Sequence, residues 1–158
     1  MFGVGWNFVT TLFGLSISYP KGNQAGTVMA MASMSDSKKY VNQLVDVMTK
    51  KQASLEASSN PQQYGEKIFG KKVFSEDDKF EIASSLQEAT EIVFREAVKD
   101  NISKFKVNNL CIAGGCALNS VLIGKIQSWF PDVENIYVPP VPYDSGLAIG
   151  SAQYLWHQ

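Results

Sequence analysis

Two stretches of this chain combine residue types and spacings that suit chemistry. The first is Leu110-Cys111-Ile112-Ala113-Gly114-Gly115-Cys116-Ala117-Leu118-Asn119, and the second, Asp144-Ser145-Gly146, begins 25 residues past Asn119. In the first, an apolar run of the length a buried strand needs stops at two glycines. Gly114 and Gly115 can take backbone angles closed to other residues and carry no side chain, so a ligand can approach the main chain there. A helical pattern begins at once beyond them, with Leu118, Val121, Leu122, Ile126 and Trp129 recurring on one face. A helix N-terminus aimed at the turn favours an anion or polar ligand through its free N–H groups. Asn119 falls in the first turn, where its amide can both donate to and accept from a base or a ribose. A plain strand, turn and helix connection would use the same residues.

The second stretch follows another short strand, Asn135 to Val138, which Pro139, Pro140 and Pro142 bring to an end. Asp144 then precedes a helical pattern from Ser145 to about Trp156, with Leu147, Ile149, Ala152 and Leu155 as its apolar members. Asp is a favoured residue for capping a helix, and capping alone accounts for it. A carboxylate delivered into a glycine turn beside the first element would also suit a nucleotide and metal cleft.

The elements that must hold these stretches are mostly helical. Trp6, Val9, Leu12 and Phe13 predict a core helix ended by Gly14, and residues 19–24 carry turn chemistry. Met29, Met31 and Met34 suggest adaptable packing in a core or at a partner groove. Val41, Leu44, Val45 and Met48 predict a helix over Ser37 to about Leu55, stopped by Ser58-Ser59-Asn60-Pro61. Residues 62–74 read as a loop or short irregular excursion in which Lys71 and Lys72 could face a phosphate or simply be solvated. The longest helix starts at Ser75 with Asp78 three residues on, a capping-box spacing, and carries Ile82, Leu86, Ala89, Val93 and Ala97 in one stripe to near Lys104. Glu76, Asp77 and Asp78 in its first turn match the helix dipole and point in different directions, so they do not form a metal site.

Fourteen basic against fifteen acidic residues leave a net charge of −1, which offers no broad attraction to nucleic acid or an anionic membrane. The N-terminus lacks the basic region of a signal peptide and no long apolar run occurs, so a soluble, cytoplasmic protein is expected. Two cysteines, Cys111 and Cys116, are too few for a disulfide framework and read as small buried hydrophobes, with a reactive thiol at Cys116 the sharper alternative. A length of 158 residues is ordinary for one domain.

The pairing of LCIAGGCALN with the downstream PxxDSGLAIGSA resembles the O-carbamoyltransferases of nodulation-factor and antibiotic biosynthesis, which are similar in turn to the catalytic subunit of the tRNA threonylcarbamoyl-adenosine machinery. The likeness extends upstream, where Gln24 to Ala32 is similar to a segment that commonly reads Glu-Gly-Lys-Val-Met-Gly-Leu-Ala in that family. It covers most of the chain. The resemblance implies an α/β fold: one lobe of an actin-like ATPase (ribonuclease H-like) fold, helix-rich, with a small sheet and a helical excursion. Residues 1–158 would be a single domain or a fragment, the C-terminal lobe of the nucleotide and metal domain. Its helical part would span 1–74 and its nucleotide-cleft part 75–158.

By the same resemblance, Gly114, Gly115 and Asn119 would contact the adenosine part of ATP or carbamoyl-adenylate, and Asp144 would be one ligand of a divalent metal, iron. The family's other ligands include two histidines four residues apart, whereas this chain has a single histidine, His157, beside its C-terminal end. Thr27 stands where the family often has Lys, and Ala25 where it often has an acid. A fragment lacking the histidine-bearing half explains the first departure; a degenerate homologue explains both.

The implied activity is transfer of a carbamoyl group from carbamoyl-adenylate to a hydroxyl of a small metabolite, with the chain alone inactive. The implied partners are that small-molecule acceptor and the remainder of a longer protein, including an adenylate-forming domain. A sheet of two strands leaves an edge open, which adds a homodimer to the expectations. The rivals are a tRNA-acting relative, which would need a basic face, a sugar-kinase-like member of the fold, and a binding module without catalysis.

Overall fold

The computed structural model describes residues 2–16 and 24–158, so the turn expected at 19–24 lies, apart from Gln24, outside the described residues. The chain divides into two compact units, Met1–Glu96 and Ala97–Gln158. Between them the units hold a helix-rich α/β arrangement with a small parallel sheet.

The first unit is helical, with α1 (Phe2–Leu12), α2 (Ala25–Ala32), α3 (Val41–Thr49), α4 (Lys51–Ser59), α5 (Pro61–Phe69) and most of α6 (Glu76–Phe105). Its core gathers Phe8, Val9, Leu44, Val47, Ile82 and Leu86, all essentially inaccessible to water. Each such side chain contributes about 1.5–3 kcal/mol by leaving water. The expected α1 stripe is buried at Trp6, Val9 and Leu12. The Trp6 Nε1–H donates to Thr90 Oγ1 at 3.1 Å, satisfying the one polar atom of a buried indole. Met29 and Met31 pack partly against this core, while Met34 is exposed.

Two expectations for this unit need correction. The single helix over 37–55 is broken at Lys50, whose backbone is extended (φ −95°, ψ 123°) between α3 and α4. A straight helix turns about 100° per residue and would set Ala53 and Ala57 opposite Leu44. The break lets all three reach the core. Residues 61–69, read as irregular, form α5: the Asn60 side chain accepts from the Gln63 N–H at 3.2 Å, Pro61 opens the helix, and Gly70 closes it in the left-handed region (φ 72°). The Asn60-Pro61 pair that stops one helix thereby starts the next.

The capping box of α6 is present as expected. Asp78 N–H donates to Ser75 Oγ at 3.2 Å, and Ser75 N–H donates to Asp78 Oδ2 at 3.0 Å. Lys71 donates to the same carboxylate, and Lys72 lies 3.4 Å from Glu66, so both lysines are paired with acids of their own unit. Burial along α6 follows Ile82, Leu86 and Ala89; Phe94 is buried next to a half-buried Val93, and Ala97 is exposed.

The second unit carries β1 (Asn109–Cys111), a 3-10 turn (Gly115–Leu118), α7 (Ser120–Trp129), β2 (Asn135–Tyr137) and α8 (Gly146–Trp156). β1 and β2 run parallel, pairing Asn109 with Asn135, Leu110 with Ile136 and Cys111 with Tyr137. A parallel pair needs a crossover, and the 3-10 turn and α7 supply it. Leu122, Ile126, Phe130 and Val133 form the buried side of this crossover.

Here too the pattern is partly overturned. Leu118 and Val121 are exposed and Trp129 is half-buried, so α7 buries a narrower stripe than its spacing suggests. No residue of α8 is buried, although the helix contains no charged side chain before His157. Cys111 is exposed rather than buried, because only one face of the short β1 is covered. Among the described residues no helix is long and apolar enough to cross a membrane.

Candidate functional site

The cleft of the second unit forms where β1 and β2 end. Strand backbone continues past each element, with Ile112 N–H donating to Tyr137 O at 2.9 Å, and the chain then diverges. Ala113 and Gly114 from the β1 end, Tyr137 from the β2 end, the segment 139–144, and α8 enclose about 820 Å³. Open α/β sheets bind ligands at the carboxyl ends of parallel strands, where the chain departs in different directions. The volume falls within the range of small-molecule sites.

Gly114 carries the turn. Its φ of 97° and ψ of 166° belong to a region that only glycine occupies without strain. In this conformation its N–H donates to Pro142 O at 2.5 Å. Three prolines between 139 and 142 therefore act as a strap, stiff at φ and tied at one end to the glycine turn. The adjacent Val141 packs on Gly146 as a second anchor: a Cβ there would meet Val141 O at 2.3 Å, closer than real atoms approach. Gly146 is required by packing.

Asp144 lies between those two anchors and lines the same cleft as Gly114. Its main-chain carbonyl accepts from Leu147 N–H at 3.1 Å, while the N-cap position falls on Ser145, whose side chain makes no capping bond. The carboxylate of Asp144 is solvent-exposed. Capping therefore does not account for this acid.

Gly115 and Asn119 do not line the cleft. Gly115 opens the 3-10 turn, which takes the place of the immediate helix expected from the pattern. Asn119 is buried and caps α7: its side-chain oxygen accepts from Leu122 N–H at 3.1 Å. Cys116 is half-buried, and burial pushes its thiol pKa up, which disfavours the reactive thiolate. Among the described residues no group of three or more His, Cys, Asp or Glu converges on a point, and a single carboxylate is not a chelating set. Tyr143 and Tyr137, which sequence reasoning passed over, reach the cleft beside Asp144. The signal for them was the strand-ending proline cluster that they flank.

Against known families, the chain matches the model described as "Carbamoyltransferase N-terminus" over residues 2–153. An uncharacterized protein of Synechocystis is 39% identical over 80 residues, 49% of this chain and 12% of that protein. The nodulation protein NolO of Bradyrhizobium diazoefficiens is 35% identical over 74 residues, 46% of this chain and 13% of its own length. Nodulation protein U of the same organism is 52% identical over 46 residues, 28% of this chain and 8% of its own. The chain thus spans a small part of the length of the curated relatives it matches. No solved structure matches it.

Proposed function

Since the chain belongs to the carbamoyltransferase family, represented by its N-terminal region, we propose that it forms part of an O-carbamoyltransferase, an enzyme that moves a carbamoyl group from carbamoyl-adenylate to a hydroxyl of a small metabolite. On this reading the second unit is the nucleotide-cleft side of one lobe of an actin-like ATPase fold. The observation that carries the reading is the convergence of Gly114 and Asp144, 30 positions apart by their numbering, on one cleft at the strand ends.

The geometry supports the following roles. Gly114 keeps side-chain bulk away from the ligand at the strand end. Asn119, buried beneath, fixes the start of α7 and so holds the floor of the turn. Asp144 presents an acceptor oxygen to the ligand from the rim. A divalent metal would polarise the carbamoyl carbonyl when bound; Asp144 would give it one oxygen, and its other donors would come from outside the described residues. The partners on this reading are the hydroxyl acceptor and an adenylate-forming domain of a longer protein.

The genomic sequence around the codon for Met1 provides the first test. An in-frame extension with a His-x-x-x-His segment is the expected finding. The product of that longer frame should release phosphate from carbamoyl phosphate in the presence of ATP and a polyol acceptor, and Asp144→Ala should abolish the transfer. Transfer unaffected by Asp144→Ala would sink the assignment of this cleft, and a frame whose product shows no turnover would favour a binding module.

A further inference from the structure

α8 is apolar around its whole circumference, a composition that proteins bury, yet none of its residues is buried. Charged residues make up 18% of the chain, and none falls between Ser145 and Trp156. The helix has two different sides. Leu147, Ser151 and Leu155 line the strand-end cleft, whereas Ala148, Ala152 and Trp156 take no part in it. These last three recur every fourth position, so they form one ridge along the outer side of the helix. Trp156, at the end of that ridge, is 86% exposed, more than any other large apolar side chain among the described residues.

We infer that this outer ridge is the docking surface for a second copy of the chain, seated as an antiparallel crossing of two α8 helices on a two-fold axis at Ala152. The ridge is complementary to itself. A two-fold axis at Ala152 brings Trp156 of each copy against Ala148 of the other, a large side chain onto a small one. Four-residue ridges from two helices interlock at a crossing angle of about −50°, and alanine at the crossing point lets the axes approach to roughly 8 Å. Identical faces set every charge against its like, a penalty that a face without charge escapes. The antiparallel arrangement also places the positive end of each helix dipole beside the negative end of the other. Trp156 brings about 200 Å² to the contact. A pair of such ridges stays below the roughly 1,200 Å² of a stable complex, so the dimer is weak and reversible. The open edges of the sheet are the other route to pairing, but strands of three residues offer few bonds. The ridge lies outside the cleft, so this pairing does not rest on the carbamoyl-transfer reading.

Sedimentation equilibrium of the 158-residue chain, carried up to about 1 mM, should show monomer and dimer alone. Intrinsic fluorescence should move to the blue as the dimer forms, because Trp156 leaves water. Ala152→Glu sets two carboxylates together on the axis and should abolish both signals. The position is exposed and Glu suits a helix, so the melting temperature of the monomer should not change. Trp156→Ala should weaken association at least about tenfold by removing the anchor. Leu147→Gln, at an exposed position on the cleft side, should leave association as it is. A chain that stays monomeric throughout, or one that associates as well with Ala152→Glu, would overturn the inference, the second result moving the contact to the sheet edge. An effect of Leu147→Gln equal to that of Trp156→Ala would overturn it too, since it would mean general stickiness. So would a monomeric longer product in which Trp156 already emits to the blue, its own chain then being the occupant. Carbamoyl transfer by such a monomer would leave the proposed reaction standing, and a dimer without transfer would do the reverse.

Discussion

The amide of Gly114 donates to the carbonyl of Pro142 at 2.5 Å, and this bond ties the turn after the first strand to the proline strap that leads into Asp144. It depends on a backbone conformation, φ 97° and ψ 166°, that a residue with a Cβ adopts only under strain. Gly114→Ala leaves room for the methyl group, since nothing lies within 4 Å of it, so its cost is conformational. The expected loss is about 1–3 kcal/mol of stability in the second unit. Urea denaturation followed by amide signals of residues 109–137 would measure it. A variant as stable as the parent would show that the turn relaxes freely and that the strap is not held.

A pair of glycines in α8 should respond with opposite signs. At Gly146 an added Cβ falls 2.3 Å from the backbone oxygen of Val141, so Gly146→Ala must push the strap or the helix aside. At Gly150 nothing lies within 4 Å, and an alanine there gains helix propensity of roughly 0.5–1 kcal/mol. Thermal melts should place Gly146→Ala below the parent and Gly150→Ala level with it or above. Both variants falling below the parent would mean that α8 packs where this structure leaves it open.

How far the sequence foretells such relationships differs between the two units. The stripe of Trp6, Val9 and Leu12 and the capping box of Ser75 and Asp78 are local patterns, and they appear in the fold as read. The break at Lys50 is not local, because it arises from the need to turn Ala53 and Ala57 toward the same core as Leu44. The start of α5 is legible in Asn60 and Pro61 and its end in Gly70, although the glycines and lysines of this stretch read as a loop. In the second unit the glycine turn, the acid and a cleft shared by the two were readable from the strand and turn pattern, and the strap bond from Gly114 to Pro142 was not, since no local pattern encodes it. The apolar letters of α8 promised burial, yet spacing alone does not say what covers a helix.

Asn119 is a residue whose two possible duties can be separated. Its side-chain oxygen caps α7 through Leu122 N–H, so Asn119→Ala should cost about 0.5–2 kcal/mol. Asn119→Asp keeps a capping oxygen and removes the amide donors, and should restore most of that stability. Adenosine affinity measured on the Asp variant then reports any contact of the amide with a nucleotide. Unchanged affinity would assign Asn119 to the support of α7 alone.

The first unit carries a pH dependence of known sign. The Lys71 ammonium hydrogen-bonded to Asp78, with Ser75 donating to the same carboxylate, lowers its pKa from 3.8 to about 2. A carboxyl whose folded pKa lies below its unfolded value binds protons more readily when unfolded. The stabilisation it provides is therefore fully present above the unfolded value near 3.8 and is lost as pH falls through about 2. Melting temperatures recorded from neutral to acidic pH should fall in that window for the parent. Asp78→Asn should start from a lower melting temperature at neutral pH, having lost the ion pair with Lys71, and should show a shallower decline below pH 3.8. Lys71→Met removes the first of the causes and leaves the Ser75 bonds, so its decline should begin near the same pH as the parent's, be smaller, and end at a higher pH. Identical acid limbs in all three proteins would place the acid sensitivity in other carboxylates and leave the Ser75 to Asp78 box with a purely capping role.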